Sequence, residues 1–190
     1  MKQFITHMHF KIDMLLLAVC LCVTTVSAQA QNDHAAFATS IFYSICVSNR
    51  GNPDRVSGYA EFNLVPLIPA ARHHFLEGKS GKAWSAKVTS GQFVLTISDE
   101  GKCSVHVRRI STKEILAKFA LLIKHIEKKG NVAELPKEEK TFSFGTVSTR
   151  YFMSYPNSKE AIFLLDIATS DALEAPSQAV MSIEAKPWSF

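Results

Sequence analysis

The sequence lacks the compositional extremes that mark specialised classes of protein. Only 8 of its 190 residues are glycine and 7 are proline, too few for a fibrous or low-complexity chain. The formal net charge of +4 is far below the basic excess of a dedicated nucleic-acid binder. Hydrophobic residues make up 47% and charged residues 20%, so the chain is too apolar to be disordered. The length predicts one globular domain.

The sequence also lacks the common motifs of catalytic sites. It contains no G-x-S-x-G, H-E-x-x-H, G-x-G-x-x-G or paired C-x-x-C. Gly78-Lys79-Ser80 matches only the end of a phosphate-binding loop, because His73 stands where that loop needs its first glycine. We therefore predict no catalytic residue, no cofactor and no metal site, and the sequence favours a protein that is not an enzyme.

The longest apolar run, Met14–Val26, lies near the N-terminus. As a helix this run would rise only about 20 Å. A membrane-spanning helix needs roughly 20 apolar residues, so the run is too short to cross a membrane. Lys2 and Lys11 precede the run, and the small-x-small sequence Ala28-Gln29-Ala30 follows it. This pattern predicts a cleaved export signal over residues 1–30, with cleavage after Ala30 and a periplasmic or secreted destination.

The four cysteines fall into two pairs. Cys20 and Cys22 lie within the predicted signal, and each follows a branched residue, whereas a lipid-modified cysteine needs a small one. Removal of the signal leaves Cys46 and Cys103. Two cysteines in an exported chain predict one disulfide, and the alternative is two separate buried thiols.

Hydrophobic periodicity predicts an early helical segment followed by strands. A helix over 35–48, capped by Asp33 and ended by Gly51, carries a buried stripe at Phe37, Ile41 and Ile45, which Phe42 and Cys46 extend on the same side. A short second helix presents Val56, Tyr59 and Phe62 at a spacing of three, and a third spans 70–77 after Pro69. Alternating apolar residues then predict a three-stranded meander at 84–88, 93–97 and 103–107.

In the second half of the chain, a predicted helix is again followed by predicted strands. Lys113–Lys129 is an amphipathic helix capped by Ser111 or Thr112, and a charged loop over 131–140 follows it. Three more strands are predicted at about 141–153, 160–168 and 178–185, with a bulge at Gly145. The predicted fold over residues 31–190 is α+β, with about six antiparallel strands in two meanders packed against the Lys113–Lys129 helix and the N-terminal helical segment.

His73, His74 and Glu77 form the polar cluster with the most chemical character. His74 and Glu77 are three residues apart, so they share one face of a helix. Zinc needs three or four ligands, and the sequence alone brings no further histidine to this pair. The cluster is either an exposed polar helix or a candidate for metal or acid–base chemistry. Cys103 and His106 form no metal pair, because residues three apart on a strand point to opposite faces.

Basic residues are concentrated between 108 and 129. They outnumber the two glutamates of this segment and include Arg108, Arg109, Lys118, Lys124 and Lys128. Such a cluster can attract an anionic membrane surface or an acidic protein, and the alternative is an ordinary solvated face. No aromatic residues alternate with these cations, so nucleic acid is not a predicted partner.

Several short segments resemble those of a known family. They are the early helix with Cys46, G-K-A-W at Gly81–Trp84, V-L-T-I-S-D-E-G-K-C-S-V at Val94–Val105, L-D-I-A-T-S at Leu165–Ser170 and Q-A-V-M-S at Gln178–Ser182. The chain is similar in these segments to a family of uncharacterised secreted or lipid-anchored proteins of Gram-negative bacteria. The resemblance implies an exported protein with paired cysteines and no known catalytic residues.

Three functions are compatible with the sequence. It favours a non-enzymatic protein-interaction module of the cell envelope, such as an inhibitor, an immunity-type factor or an assembly accessory, with an exposed patch and no deep cavity. The alternative is a binding protein for a small apolar ligand or lipid, because 13 phenylalanines can line a cavity as well as fill a core. The third is a hydrolase or metalloenzyme that uses His73, His74 and Glu77.

Overall fold

The computed structural model describes residues 34–88, 91–129, 138–141, 145–154 and 161–187. The predicted export signal over residues 1–30 and the predicted Asp33 cap lie outside these ranges, as does most of the predicted loop over 131–140. Within these ranges no helix is both long enough and apolar enough to cross a membrane.

In the part of the chain that the structure describes, four helices occupy the predicted positions. Helix α1 spans residues 34–47, and its second part, Phe42–Val47, is a π-helix. The others are α2 at Pro53–Asn63, α3 at Pro69–Phe75 and α4 at Thr112–Lys128. The Ser111 hydroxyl accepts a hydrogen bond from the backbone N–H of Glu114, which confirms the predicted N-cap of α4.

Eight strands of the described ranges form one antiparallel sheet. Their order is β1-β2-β3-β4-β8-β7-β6-β5, so two four-stranded meanders meet where β4 pairs with β8. The first meander begins after α2, and the second follows α4. The strands are β1 Val65–Pro66, β2 Gly81–Val88, β3 Gly91–Ser98, β4 Cys103–Val107, β5 Glu138–Thr141, β6 Val147–Ser154, β7 Ala161–Thr169 and β8 Ala179–Pro187.

The sheet confirms the α+β class but has two more strands than predicted. Both additional strands, β1 and β5, lie at the edges of the sheet. β1 has only two residues, one of them proline, and β5 reads Glu-Glu-Lys-Thr, so neither shows the apolar alternation of a half-buried strand. The predicted bulge at Gly145 is wrong, because Thr141 pairs with Val147 and the chain reverses direction between β5 and β6.

Alternation along β4 separates the two faces of the sheet. Cys103, Val105 and Val107 are buried in the core that also holds α1 and α4. Ser104 and His106 therefore belong to the opposite face, which is the face that α3 contacts through the rings of Phe75 and His106. The two helices that dominate the core thus leave the second face of the sheet available for a site.

Helix α1 packs against the core through most of the predicted side, because Ile45, Phe42 and Cys46 are buried. Ala35, Ala38 and Phe42 are fully buried, whereas Phe37 remains 38% exposed on the flank of the helix. The Phe37 ring still contacts the edge of the Phe93 ring, with the centroids 5.3 Å apart. The prediction is therefore wrong for Phe37, because the small alanines make the close approach to the core at that end of the helix.

The predicted disulfide is present between Cys46 and Cys103. Their Cα atoms are 5.5 Å apart, and both residues are fully buried. Gly51, which ends α1 as predicted with φ +63°, lies so close to the β3–β4 turn that a Cβ would be 2.6 Å from the carbonyl oxygen of Gly101. The turn after α1 therefore packs directly on the turn before Cys103, next to the disulfide.

Candidate functional site

The second face of the sheet contains a cleft whose floor is built from small side chains. The strand register places His106 opposite Val180, Val180 opposite Ala168, and Ala168 opposite Ser148, in one row across four strands. Alanine, valine and serine leave space above the sheet because they project only a short distance. The resulting cavity, here called the sheet cleft, has a volume of about 690 Å³.

The walls of the sheet cleft come from α3 and from the loop that precedes β8. His74, Phe75 and Glu77 form one wall, and Ala175–Ser177 lies on another. Glu77 follows the end of α3 and has φ +52°, a left-handed conformation that redirects the chain away from the helix axis. The predicted pair His74 and Glu77 therefore does meet at a site, at the mouth of this cleft.

An ion pair occupies the next row of the floor. Arg150 on β6 lies directly opposite Asp166 on β7, and its Nε donates to Oδ1 at 2.8 Å while Nη2 donates to Oδ2 at 3.1 Å. Both side chains are partly buried. This two-bond geometry fixes the orientation of both groups more firmly than a single contact would.

His106 is the most deeply buried titratable side chain that lines the sheet cleft. It is 8% exposed, and its Nε2 lies 3.4 Å from the Thr96 hydroxyl. Burial, with the nearby charges of Lys102 and His74 as smaller contributions, lowers the pKa of His106 to about 4. The imidazole is therefore neutral at pH 7 and presents one donor and one acceptor nitrogen.

We expect His106 to make folding stability depend on pH. An unfolded histidine has a pKa near 6.5, so between pH 6.5 and about 4 the unfolded chain binds a proton that the folded protein does not. The free energy of unfolding contributed by this group is complete above pH 6.5 and should decrease by up to about 3 kcal/mol as the pH falls to 4. Urea unfolding of wild type and His106→Gln across this range measures it.

The substitution His73→Gln provides the matched control, because His73 is exposed on the neighbouring α3. This variant should keep the wild-type dependence on pH, whereas His106→Gln should flatten it. Identical slopes for His106→Gln and wild type would mean that His106 is not held neutral by burial.

Of the predicted polar cluster His73, His74 and Glu77, only two residues lie at the sheet cleft. His74 and Glu77 line the sheet cleft together with Lys102 and His106, whereas His73 is exposed and is not among the lining residues. In the described ranges, no three His, Cys, Asp or Glu side chains are grouped to hold a metal ion. Cys103 and His106 point to opposite faces as predicted, and Cys103 is held in the disulfide.

Sequence reasoning missed most of the residues that build this site. His106, Arg150 and Asp166 are far apart in the chain and meet only through the order of the strands. A partial signal was present, because Asp166 is the one charged residue in the apolar strand β7. Its partner on β6 could be identified only once the register of the two strands was known.

A second feature is a group of exposed apolar side chains that lie close together in the sequence, from α2 through the edge strand β1 to the residue before α3. It consists of Tyr59, Phe62, Val65 and Ile68, all exposed, with Phe62 at 92% and Ile68 at 70%. We call it the apolar edge surface. The spacing of Val56, Tyr59 and Phe62 predicted the short helix α2, which is present, but α2 buries only Val56, Ser57 and Ala60 and leaves both aromatic side chains exposed. Large exposed apolar groups in one place often mark interaction sites.

The basic residues named in the sequence analysis lie around α4. Arg108 and Arg109 are exposed in the connection between β4 and α4, and Lys124 and Lys128 are exposed one turn apart on the helix. Lys118 is only partly exposed. The contact of this cluster with an anionic membrane surface stays a prediction.

No family model, curated protein or solved structure matches this chain. The resemblance to secreted or lipid-anchored proteins of Gram-negative bacteria therefore stays a prediction. Function has to be inferred from the geometry of the sheet cleft and of the apolar edge surface.

Proposed function

We propose that this protein is a non-enzymatic binding protein of the cell envelope that holds a small ligand in the sheet cleft. The observation that supports the proposal is the cleft, whose volume of about 690 Å³ falls within the range of roughly 300–1,000 Å³ typical of small-ligand sites. Its floor is formed by paired strands, which hold side chains more precisely than loops do. A protein partner, which the sequence favoured, becomes the second candidate.

The residues that line the sheet cleft change the kind of ligand that we expect, because they are not all apolar. Val180 and Ala168 are apolar, but Asp166, Arg150 and Ser182 lie beside them on the same floor. A purely apolar ligand or lipid chain would cover these polar groups without replacing their contacts with water, which is unfavourable. The proposed ligand therefore carries polar groups as well as an apolar surface.

The proposed location has one structural support. The Cys46–Cys103 disulfide is of the kind that persists in the periplasm and outside the cell, where thiols are not kept reduced. A periplasmic or secreted protein with a cleft open to solvent would meet ligands of the cell envelope directly.

Blocking the floor tests the proposal. Ala168→Leu adds three carbon atoms at the centre of the cleft, and Ala117→Leu makes the same change on the exposed side of α4 as a control. Each protein is incubated with the molecules below 1 kDa extracted from the envelope fraction of the producing cells and examined by native mass spectrometry. We expect a bound small molecule on wild type and on Ala117→Leu, but not on Ala168→Leu. Adducts that are equal on all three proteins would refute the proposal.

A second candidate function is interaction with a protein partner of the cell envelope. The apolar edge surface favours it, because Phe62 and Ile68 extend into solvent beside the short edge strand β1. An edge strand with exposed apolar neighbours can bind an extended segment of another chain. The partner expected on this surface is a protein that offers a complementary apolar strand.

Site-specific photo-crosslinking in intact cells tests this second candidate. A photoreactive residue at position 62 should give one discrete crosslinked product, and Ile68→Glu in the same chain should remove it. A photoreactive residue in place of Leu173, which is 87% exposed and distant in the sequence, serves as the control. The same products from positions 62 and 173, or a product that Ile68→Glu leaves unchanged, would argue against a partner at this surface.

A further inference from the structure

The lysine, arginine, aspartate and glutamate side chains that line the sheet cleft balance in charge, and they stand beside the two histidines His74 and His106. Lys102 and Arg150 are cationic, and Glu77 and Asp166 are anionic. His106 adds no charge at pH 7, because burial lowers its pKa to about 4. A strongly anionic ligand would face two carboxylates, and a strongly cationic ligand would face the lysine and the arginine. The balance favours a ligand without net charge.

The lining also combines hydrogen-bond donors and acceptors within a small area. Ser148 and Ser182 carry hydroxyl groups, each of which can donate one hydrogen bond and accept others. The Asp166 carboxylate keeps acceptor capacity on both oxygens after it has accepted two bonds from Arg150. A ligand hydroxyl, which also donates and accepts, matches such a set better than a group with only one of these roles.

Apolar surface lies next to these polar groups. Ala168 and Val180 lie on the floor, and the Phe75 ring stands on the α3 wall with its centroid 5.3 Å from that of His106. The contact with His106 is edge-to-face, at an interplanar angle of 70°, which fixes the orientation of the Phe75 ring. An aromatic side chain beside fixed polar groups can bind a ring-shaped ligand. The C–H groups on the face of such a ring would pack on the aromatic side chain, and the polar groups at its edge would form hydrogen bonds.

We infer that the ligand of the sheet cleft is a neutral, hydroxyl-rich ring molecule of the sugar class. This inference rests on the function proposed above and narrows the chemistry of its ligand. The C–H face of the ring would lie on Ala168, Val180 and Phe75, and its hydroxyl groups would bind Asp166, Ser182 and Ser148.

Other ligand classes fit the lining less well. A phosphate group would bring its negative charge to Glu77 and Asp166 as well as to Lys102. A fatty acyl chain would cover the Ser182 hydroxyl and the Arg150–Asp166 pair without forming hydrogen bonds to them, at a cost in desolvation. Phosphate and decanoate therefore serve as comparison probes.

Titration calorimetry of the intact purified protein tests the inference with three neutral disaccharides, maltose, lactose and N,N′-diacetylchitobiose. We expect saturable binding of at least one of them, and none of phosphate or decanoate at the same concentrations. Asp166→Asn keeps the size of the side chain but removes its charge, and should weaken binding about tenfold. Ser182→Ala should weaken it several-fold, and it keeps the test informative if Asp166→Asn fails to fold.

Glu184→Gln is the matched control. Glu184 belongs to the same face of β8 as Ser182 but does not line the cleft, so the affinity for the disaccharide should stay within about twofold of wild type. If Glu184→Gln weakened binding as much as Asp166→Asn, the disaccharide would be responding to overall charge and not to the cleft, and the inference would fail.

The test separates the failure of this inference from the failure of the proposed function. If only phosphate, decanoate or a charged extract molecule binds, and Ala168→Leu abolishes that binding, the cleft is a ligand site but the sugar class is wrong. If Ala168→Leu changes the binding of no probe and no extract molecule, the cleft is not a ligand site and both proposals fail.

Discussion

Replacing Cys46 and Cys103 together with alanine should lower the free energy of unfolding by about 4 kcal/mol. The disulfide joins residues 57 positions apart, so in the unfolded chain it closes a long loop and restricts many conformations. Domains of this size have total stabilities of about 5–15 kcal/mol, so the loss would be a large share of the whole. Because Cys46 and Cys103 are fully buried in α1 and β4, the bond also fixes the N-terminal helix to the centre of the sheet.

Urea unfolding of three samples measures this contribution. They are oxidised wild type, wild type kept in reductant, and the double variant Cys46→Ala/Cys103→Ala. The reduced wild type and the double variant should both unfold at lower urea than the oxidised protein, and reductant should not affect the double variant. A double variant within about 1 kcal/mol of oxidised wild type would show that packing alone holds α1 against β4.

The elements that the sequence predicted are those in which local pattern and tertiary burial agree. The alternation at 103–107 placed Cys103, Val105 and Val107 on one face of a strand, and the core contains all three. The period of α4 placed Phe119 and Ile123 on its buried side in the same way. The disulfide was predicted because the predicted signal contains two of the four cysteines, which leaves Cys46 and Cys103 as one possible pair.

The elements that the sequence missed depend on interactions that leave no periodic pattern. β1 and β5 are strands only because the backbone of a neighbouring strand is available at each edge of the sheet. The exposure of Tyr59 and Phe62 could not be read from a spacing of three, since such a stripe is equally compatible with a core and with an interaction surface. In each case the deciding contact is with residues distant in the chain.

The sheet cleft could not have been predicted for the same reason. Its floor depends on which residues of β4, β8, β7 and β6 lie side by side, and a shift of register by one residue would move every side chain to the other face. The sequence paired His74 with Glu77, and both line the cleft, but the predicted shared helix face is wrong because α3 ends at Phe75 and Glu77 lies beyond it. The position of His106 beside them could be predicted only from the topology of the whole sheet.

The second large effect is expected from Phe119→Ala, which should lower the free energy of unfolding by about 3–5 kcal/mol. Phe119 is 1% exposed, and its ring lies between Phe42 of α1 and Tyr151 of β6, with centroid distances of 6.0 and 5.8 Å. It therefore joins the first helix, the fourth helix and the second meander. Alanine would leave a cavity that these elements cannot close without moving closer together and disturbing their other contacts.

Leu121→Ala is the control for this prediction, because Leu121 is in the same helix but 59% exposed. Leu121→Ala should change the free energy of unfolding by no more than about 0.5 kcal/mol, because an exposed leucine makes few contacts that truncation could remove. Urea unfolding followed by circular dichroism gives both values on one scale. Equal losses for Phe119→Ala and Leu121→Ala would contradict the packing of α4 against α1 and β6. A large loss for Phe119→Ala alone would show that this ring helps to hold the helical layer on the sheet, and so supports from behind the strands that form the floor of the sheet cleft.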